Sequence, residues 1–192
     1  MKNVVSSRIV CFALLVSLAI ASPSIAMGSS IDHGTSYGGV HFSQLAYDED
    51  GVSNDANPTL LTGRLGHFFA NQVAIEGRLG LGLSDDTVRI DDFGLAVDVD
   101  MELDRLFGVY AVGHFPLGQS ASIYGLFGFT DAKATFSTNG FSDSDTDSGF
   151  SYGFGVDIYS SDQFGLNIEY TQYLDESGYD LSALSLGVKF IY

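Results

Sequence analysis

Cysteine is nearly missing from this chain: its single thiol, Cys11, lies inside the apolar run IVCFALLVSLAIA at 9–21. Basic residues are scarce too, eight Lys and Arg against twenty-four Asp and Glu, for a formal charge of −16. That balance repels phosphate backbones and excludes nucleic acid as a partner. The run at 9–21 is short for a membrane-crossing helix, which needs about 20 apolar residues. Helical periodicity is absent after residue 26, so a helical domain is excluded as well.

What is present begins with an export signal. Lys2 and Arg8 precede the apolar run, and the small residues of SPSIA at 22–26 follow it. This is the layout of a secretory signal peptide, expected to span 1–26 with cleavage after Ala26, Ala21 being the alternative. Removing it takes away Lys2, Arg8 and Cys11. Residues 27–192 then carry six basic and twenty-four acidic residues, a charge of −18, and no thiol. Disulfides and cysteine-based metal or nucleophile chemistry are excluded from the exported chain. Its aromatic and β-branched content is too high for a disordered polyanion.

Period-two alternation recurs from there on. Phe150, Tyr152, Phe154, Val156 and Ile158 share one face; Phe164, Leu166, Ile168 and Tyr170 share another; Leu184, Leu186, Val188, Phe190 and Tyr192 end the chain as a third. Val73, Ile75, Leu79, Leu81 and Leu83 repeat the pattern earlier. Less regular runs at 37–47, 59–69, 104–115 and 121–130 bring the expectation to eight strands. Those at 104–115 and 121–130 are apolar on both faces, and pattern alone leaves their facing open. Short connections (70–72, 116–120, 160–163) alternate with long ones (48–58, 84–103, 131–149, 174–180). The long set holds nearly all the acids between strands, the short set only Asp162. In an antiparallel meander this predicts one acidic, long-looped end and one tight, nearly neutral end.

Eight such strands suit a soluble barrel with an apolar interior or a membrane barrel with an apolar exterior. The second face decides for the membrane. It reads Ser151, Gly153, Gly155, Asp157, then Gly165, Asn167, Glu169, Thr171, then Ser185, Gly187, Lys189, with Arg64, Glu76 and Arg78 from the second and third strands. Small residues suit a lumen just wide enough for side chains. The three cations Arg64, Arg78 and Lys189 balance the three anions Glu76, Asp157 and Glu169, as charges in such a space must. Phe68, Phe69, Phe115, Tyr159, Phe164, Phe190 and Tyr192 near the short turns are expected to form one aromatic girdle. Tyr47, Phe129, Phe150, Tyr152, Tyr170 and Tyr173 near the long loops form the other.

The whole exported region resembles the small outer-membrane β-barrels of Gram-negative bacteria, a family that includes the OmpA transmembrane domain, OmpX and the opacity-type porin-like proteins. The likeness rests on YGGVHFSQLAYDEDG (37–51), GRLGHFFANQVAIEGRLGLGLSDD (63–86) and the final strand. It implies an all-β, eight-stranded antiparallel up-and-down transmembrane β-barrel over 27–192, in the outer membrane, with the N-terminus and short turns in the periplasm. In that family the last strand is read by the barrel-assembly machinery, which maps the signal to Leu184, Leu186, Val188, Phe190 and Tyr192. The family's usual last residue is Phe, and here it is Tyr. No peptidoglycan-binding domain is expected after the barrel.

An eight-stranded barrel holds packed side chains, not a wide channel, so solute transport is not expected. A lipid-modifying hydrolase would need a His beside a Ser or Asp; with serine this common a His/Ser pair is almost guaranteed, so His33, His41, His67 and His114 give a signal of little specificity, and interfacial or network histidines are expected. DSDTDSG (143–149) resembles a calcium loop, but Ser148 stands where an EF-hand needs Gly and Phe154 where it needs Glu. No catalytic or metal site and no cofactor are expected, beyond weak Ca²⁺ or Mg²⁺ association with the acidic loops. The reading is a monomeric surface protein contacting outer-membrane lipid and lipopolysaccharide, with an adhesin-like or structural role. A soluble lipocalin-like carrier is the alternative, and an outer-membrane enzyme the second.

Overall fold

Alternating sequences leave each strand with one face to bury and one to display, and closure of the sheet decides which is which. The computed structural model describes residues 33–49, 58–84, 86–92, 95–138, 141–176 and 179–192. The expected signal peptide at 1–26 lies outside the described residues. The strands are β1 (Ser36–Glu49), β2 (Thr59–Ala70), β3 (Val73–Gly82), β4 (Asp86–Asp92), β5 (Leu95–Pro116), β6 (Ala121–Thr138), β7 (Phe141–Tyr159), β8 (Phe164–Glu176) and β9 (Tyr179–Ile191). Every pairing is antiparallel, in the order β3-β2-β1-β9-β8-β7-β6-β5-β4, and β3 also pairs with β5. That last pairing closes the ring. Eight strands make the barrel, and β4 stands outside it, paired only to β5 through Asp86↔Met101 to Asp92↔Leu95.

The chain termini and short turns gather at one end. Ser36 and Tyr192 exchange backbone hydrogen bonds (3.0 and 2.9 Å), Gly34 N donates to Phe68 O at 2.8 Å, and Ile191 N to Gln163 O at 2.8 Å. The β2–β3 turn is two residues, Asn71 and Gln72, with Gln72 at φ 66°. At the opposite end, three of the four connections expected as long loops are hairpins. Segment 84–103 is largely β4 and the start of β5; 131–149 prolongs β6 and β7 to Thr138 and Phe141; 174–180 prolongs β8 and β9 to Glu176 and Tyr179. Their acidic residues alternate with apolar or hydroxyl ones, and an extended strand accommodates that period as readily as a loop does.

The apolar face looks outward. Leu184, Leu186, Val188 and Phe190 are 41–59% exposed, whereas Lys189 between them is 1% exposed. Removing a large apolar side chain from water is worth about 1.5–3 kcal/mol. A belt of such residues around the whole barrel therefore demands lipid, and the lipocalin-like alternative falls. The two strands apolar on both faces are also oriented. Phe107, Val109 and Phe115 of β5 and Ile123, Phe127 and Phe129 of β6 face out, while Leu106, Tyr110, Val112, Tyr124 and Leu126 are buried in the lumen.

Three residues expected in the aromatic girdles point inward instead: Phe68, Tyr159 and Tyr173. Phe68 and Tyr159 follow directly from alternation, since their neighbours Phe69 and Ile158 take the outward positions. Tyr173 is the extra residue of a bulge between Gln172 and Leu174 opposite β9, and both Tyr173 and Leu174 are buried there. A bulge inserts one residue and re-aims its neighbours.

Candidate functional site

β2 and β3 pair Arg64 with Arg78, and the inward parity of both strands aims the two guanidinium groups into the barrel. Two cations side by side require anions, and Glu76 and Glu169 supply them. Glu76 accepts from Arg64 Nη2 and from Arg78 Nε, each at 2.7 Å. Arg78 also grips Glu169 with both terminal nitrogens, at 2.5 and 2.8 Å, the fork geometry that guanidinium and carboxylate share. Arg64 lies 3.7 Å from Glu169 and donates to His41 Nε2 at 2.7 Å. Tyr37 donates to Glu76 at 2.5 Å.

A second ion pair sits nearer the short turns. Lys189 donates to Asp157, which also accepts from Asn167 Nδ2 at 2.7 Å and from Tyr159 OH at 3.0 Å. Tyr124 joins the two groups, donating to Glu169 at 2.6 Å and accepting from Asn167 at 2.8 Å. Tyrosine rings cover the cations: Arg78 lies 4.7 Å from the Tyr110 centroid and Lys189 4.6 Å from that of Tyr37. All six predicted charges, Arg64, Glu76, Arg78, Asp157, Glu169 and Lys189, are buried and connected.

Glycine makes room for this. A Cβ at Gly66 would overlap the Tyr37 ring, and one at Gly187 would overlap His41, so both large side chains lie flat across a bare stretch of wall. Sequence reasoning missed His41, Tyr37, Tyr124 and Asn167 as members of the network. Inward parity was the available signal for Tyr37, His41 and Asn167, the last already read on the inner face, whereas Tyr124 lies on β6, which is apolar on both faces and gave none.

Toward the hairpin end the lumen turns apolar. Leu45, Leu60, Leu103, Leu106, Leu174 and Leu181 are buried, above a hydroxyl chain in which Tyr110 and Thr130, then Thr130 and Ser151, lie 2.6 Å apart. Charged groups thus fill the middle of the barrel and leucines its mouth. Among the described residues, buried side chains thus occupy the lumen at both levels.

The other histidines and the acidic arm lie elsewhere. His67 is exposed at the short-turn end, 2.9 Å from Ser36 Oγ, with no carboxylate within 4 Å among the described residues. His114 is buried, 3.7 Å from Asp157, and the His33 amide donates to Asn71. The run DSDTDSG is not a loop but part of β7. Asp143, Asp145 and Asp147 are exposed, and each carboxylate accepts from the amide of the next residue, at 3.0, 2.9 and 2.7 Å. β8 pairs with β7 only from Tyr152 onward, so this stretch is an edge. Above the belt, Asp104 accepts from Thr135 at 2.9 Å and faces Lys133 at 3.2 Å. The hydroxyl and then the ammonium hold its carboxyl below the usual aspartate range.

The final strand, proposed as an assembly signal, closes the barrel between β1 and β8. Its residues Leu184, Leu186, Val188 and Phe190 sit at the positions paired with Gln44, Phe42, Val40 and Gly38.

Comparison with known proteins agrees with this architecture. The chain is similar to Ail, the attachment invasion locus protein of Yersinia pestis (TM-score 0.61, 23% identity, 83% of this chain and 99% of that one). It is similar to Neisserial surface protein A (TM-score 0.60, 14% identity, 82% and 99%). OprG from Pseudomonas aeruginosa matches at TM-score 0.59 with 11% identity, over 86% and 99%. At these identities the likeness is one of fold. No curated protein matches the sequence. The family model described as Outer membrane protein beta-barrel domain matches residues 12–191. With its lipid-facing belt, charged lumen and closed ring of eight strands, the chain belongs to the outer-membrane β-barrel family and resides in the outer membrane of a Gram-negative bacterium.

Proposed function

We propose that this protein acts at the cell surface through its acidic hairpins, in an adhesin-like or structural role, and does not transport solutes. The observation that carries the reading is the filled lumen: Arg64, Arg78, Glu76 and Glu169 are each at most 2% exposed and satisfy one another. Extracellular connections of such barrels are the longer ones, which assigns the β4–β5 and β6–β7 arms to the outside. Partner contact then falls to a surface dominated by Asp143, Asp145 and Asp147. Ail has been crystallised with the heparin analogue sucrose octasulfate. A polyanion of that kind would be repelled by these carboxylates, so cationic protein surfaces fit this chain better.

The same reading includes a monomer without enzymatic activity, inserted by the barrel-assembly machinery through Leu184, Leu186, Val188, Phe190 and Tyr192. Clustered carboxylates also attract weakly held Ca²⁺ or Mg²⁺ that would bridge them to anionic lipopolysaccharide.

The test compares wild type with a variant in which the arm from Lys133 to Asp147 is replaced by a tight turn, both displayed on a Gram-negative host. Adherence to host-cell surfaces should fall with the arm, and unboiled gel migration should report an intact barrel in both. In planar bilayers neither should conduct steadily. Sustained conductance, or adherence indifferent to the arm, would refute the reading. Melting with calcium against chelator at equal ionic strength tests the cation bridge; identical transitions would remove it.

A further inference from the structure

Cut at the seam where β1 meets β9, the barrel divides into two halves of four strands, β1, β2, β3 and β5 against β6, β7, β8 and β9. Their interior charges do not cancel separately. The first half places Arg64, Arg78 and Glu76 in the lumen, a net of one positive charge; the second places Asp157, Glu169 and Lys189, a net of one negative charge. Two ion pairs stay within a half, Arg64 with Glu76 and Lys189 with Asp157. Among the described residues, the ion pair that crosses from one half to the other at hydrogen-bond distance is Arg78 with Glu169, at 2.5 and 2.8 Å.

These two residues lie diametrically opposite. β3 and β8 are four strands apart whichever way round the ring is counted. In an open sheet four strand spacings amount to about 19 Å, too far for the two side chains, so this fork exists only once the ring is shut. Each partner is nonetheless held from its own side. Glu76 accepts from Arg78 Nε at 2.7 Å, and the Tyr110 ring of β5 lies 4.7 Å from the guanidinium. Across the lumen, Tyr124 and Thr171 donate to Glu169 at 2.6 and 2.7 Å. Neither residue depends on the other for its position, and each half keeps one uncompensated charge until they meet. Such a charge is costly in a low-dielectric interior, so the fork stabilises the closed ring specifically.

We propose that Arg78 and Glu169 form a closure latch: an ion pair made last, as β1 and β9 zip together, which then sets how long the barrel remains shut. Arg64 and Glu76 serve a different step. They stand on the neighbouring strands β2 and β3, 12 residues apart in the chain, and can pair before the ring closes. Because the transition state for closing precedes the fork, the latch governs opening and leaves the rate of closing alone. Its action is independent of what the acidic hairpins contact.

Refolding of the full chain from urea into detergent micelles tests it, with unboiled gel migration reporting the closed barrel during folding and after return to urea. Glu169→Gln should close within about twofold of the wild-type rate and open roughly a hundredfold faster. Arg78→Lys keeps the charge but loses the fork, and should open roughly tenfold faster. Charge reversal gives the sharper reading. Arg78→Glu alone or Glu169→Arg alone leaves both halves with the same sign, and either should abolish the closed form. The two reversals together restore halves of opposite sign and should recover it. Glu169→Gln slowing closure as much as it speeds opening would mean that the fork forms before the ring, and unchanged opening in both Glu169→Gln and Arg78→Lys would mean that it holds nothing shut. A double reversal no better than either single one would show that local surroundings decide, not the charges of the halves. Each of these results would overturn the proposal.

Discussion

The lumen and the β6–β7 arm treat carboxylates in opposite ways. Inside, Glu76, Glu169 and Asp157 are each matched to a cation and sealed from solvent, and the interior sums to neutrality. Outside, Asp143, Asp145 and Asp147 face water with no cation within 4 Å among the described residues, and their bonds are to neighbouring amides. The difference is one of dielectric. A buried unpaired charge costs several kcal/mol, whereas an exposed one costs little and is screened within about 10 Å. The same residue type is therefore a structural keystone in one place and replaceable in the other.

The largest effect should come from breaking the inner set. Glu76→Ala leaves Arg64 its bond to neutral His41 but, as an anionic partner, only a 3.7 Å approach to Glu169, while Arg78 keeps its two short bonds to Glu169. Removing one partner of such a buried set costs about 3–5 kcal/mol. Adding Arg64→Ala should restore much of that loss, and adding Arg78→Ala much less, because Arg78 is not the stranded cation. Urea unfolding in detergent micelles reads all three. Equal losses from the single variant and both doubles would mean the ions do not act as a unit. Tyr124→Phe should rank next, at about 1–3 kcal/mol, since it leaves Glu169 and Asn167 each short of one buried partner. A loss as small as that of a surface tyrosine would show the two ion groups to be independent.

How much of this was legible beforehand follows from the same contrast. Alternation exposed the six lumen charges because each stands on the small, polar face that alternates with a regular apolar one, where a charge is too costly to bury alone. It could not expose Leu45, Leu60, Leu103 and Leu106, because an apolar residue facing inward on an apolar-outward strand erases the period. That is why β5 and β6 could not be oriented from pattern. Tyr173 escaped for another reason: a bulge has no signature in a single sequence, and it moved a girdle residue into the lumen. The β4–β5 hairpin did carry a signal, Val88 and Ile90, then Val97, Val99 and Met101, alternating with polar positions. Its acidic content drew attention to loop chemistry instead.

Outside the lumen the expected effects are on association before stability. Replacing Asp143, Asp145 and Asp147 together with Ala should change the unfolding free energy by under about 0.5 kcal/mol, the range of surface substitutions. It also frees the amides of Ser144, Thr146 and Ser148 on a strand that β8 does not cover. Exposed edges invite pairing with other chains, and charge is a common guard. Light scattering of the refolded triple variant should reveal self-association that wild type lacks. A triple variant that stays monodisperse would show the carboxylates to be dispensable as a guard.

A comparably small effect belongs to Asp104 above the belt, where the two regimes meet. Its carboxyl titrates below the ordinary aspartate range because Thr135 donates to it and Lys133 faces it. A carboxylate whose folded pKa is depressed adds stability above its unfolded pKa, near 4, and loses it as pH falls through the folded value. Both side chains of the Asp104–Lys133 pair are about a third exposed, so solvent screening keeps the gain within roughly 0.2–1 kcal/mol. Asp104→Asn should therefore be slightly less stable than wild type at pH 6. The gap should close as both are acidified below pH 4 and narrow at high salt. A gap that widened on acidification would reverse the sign and mean that protonated Asp104 is the form the fold prefers. One unmoved by salt would place this pair with the sealed charges of the lumen.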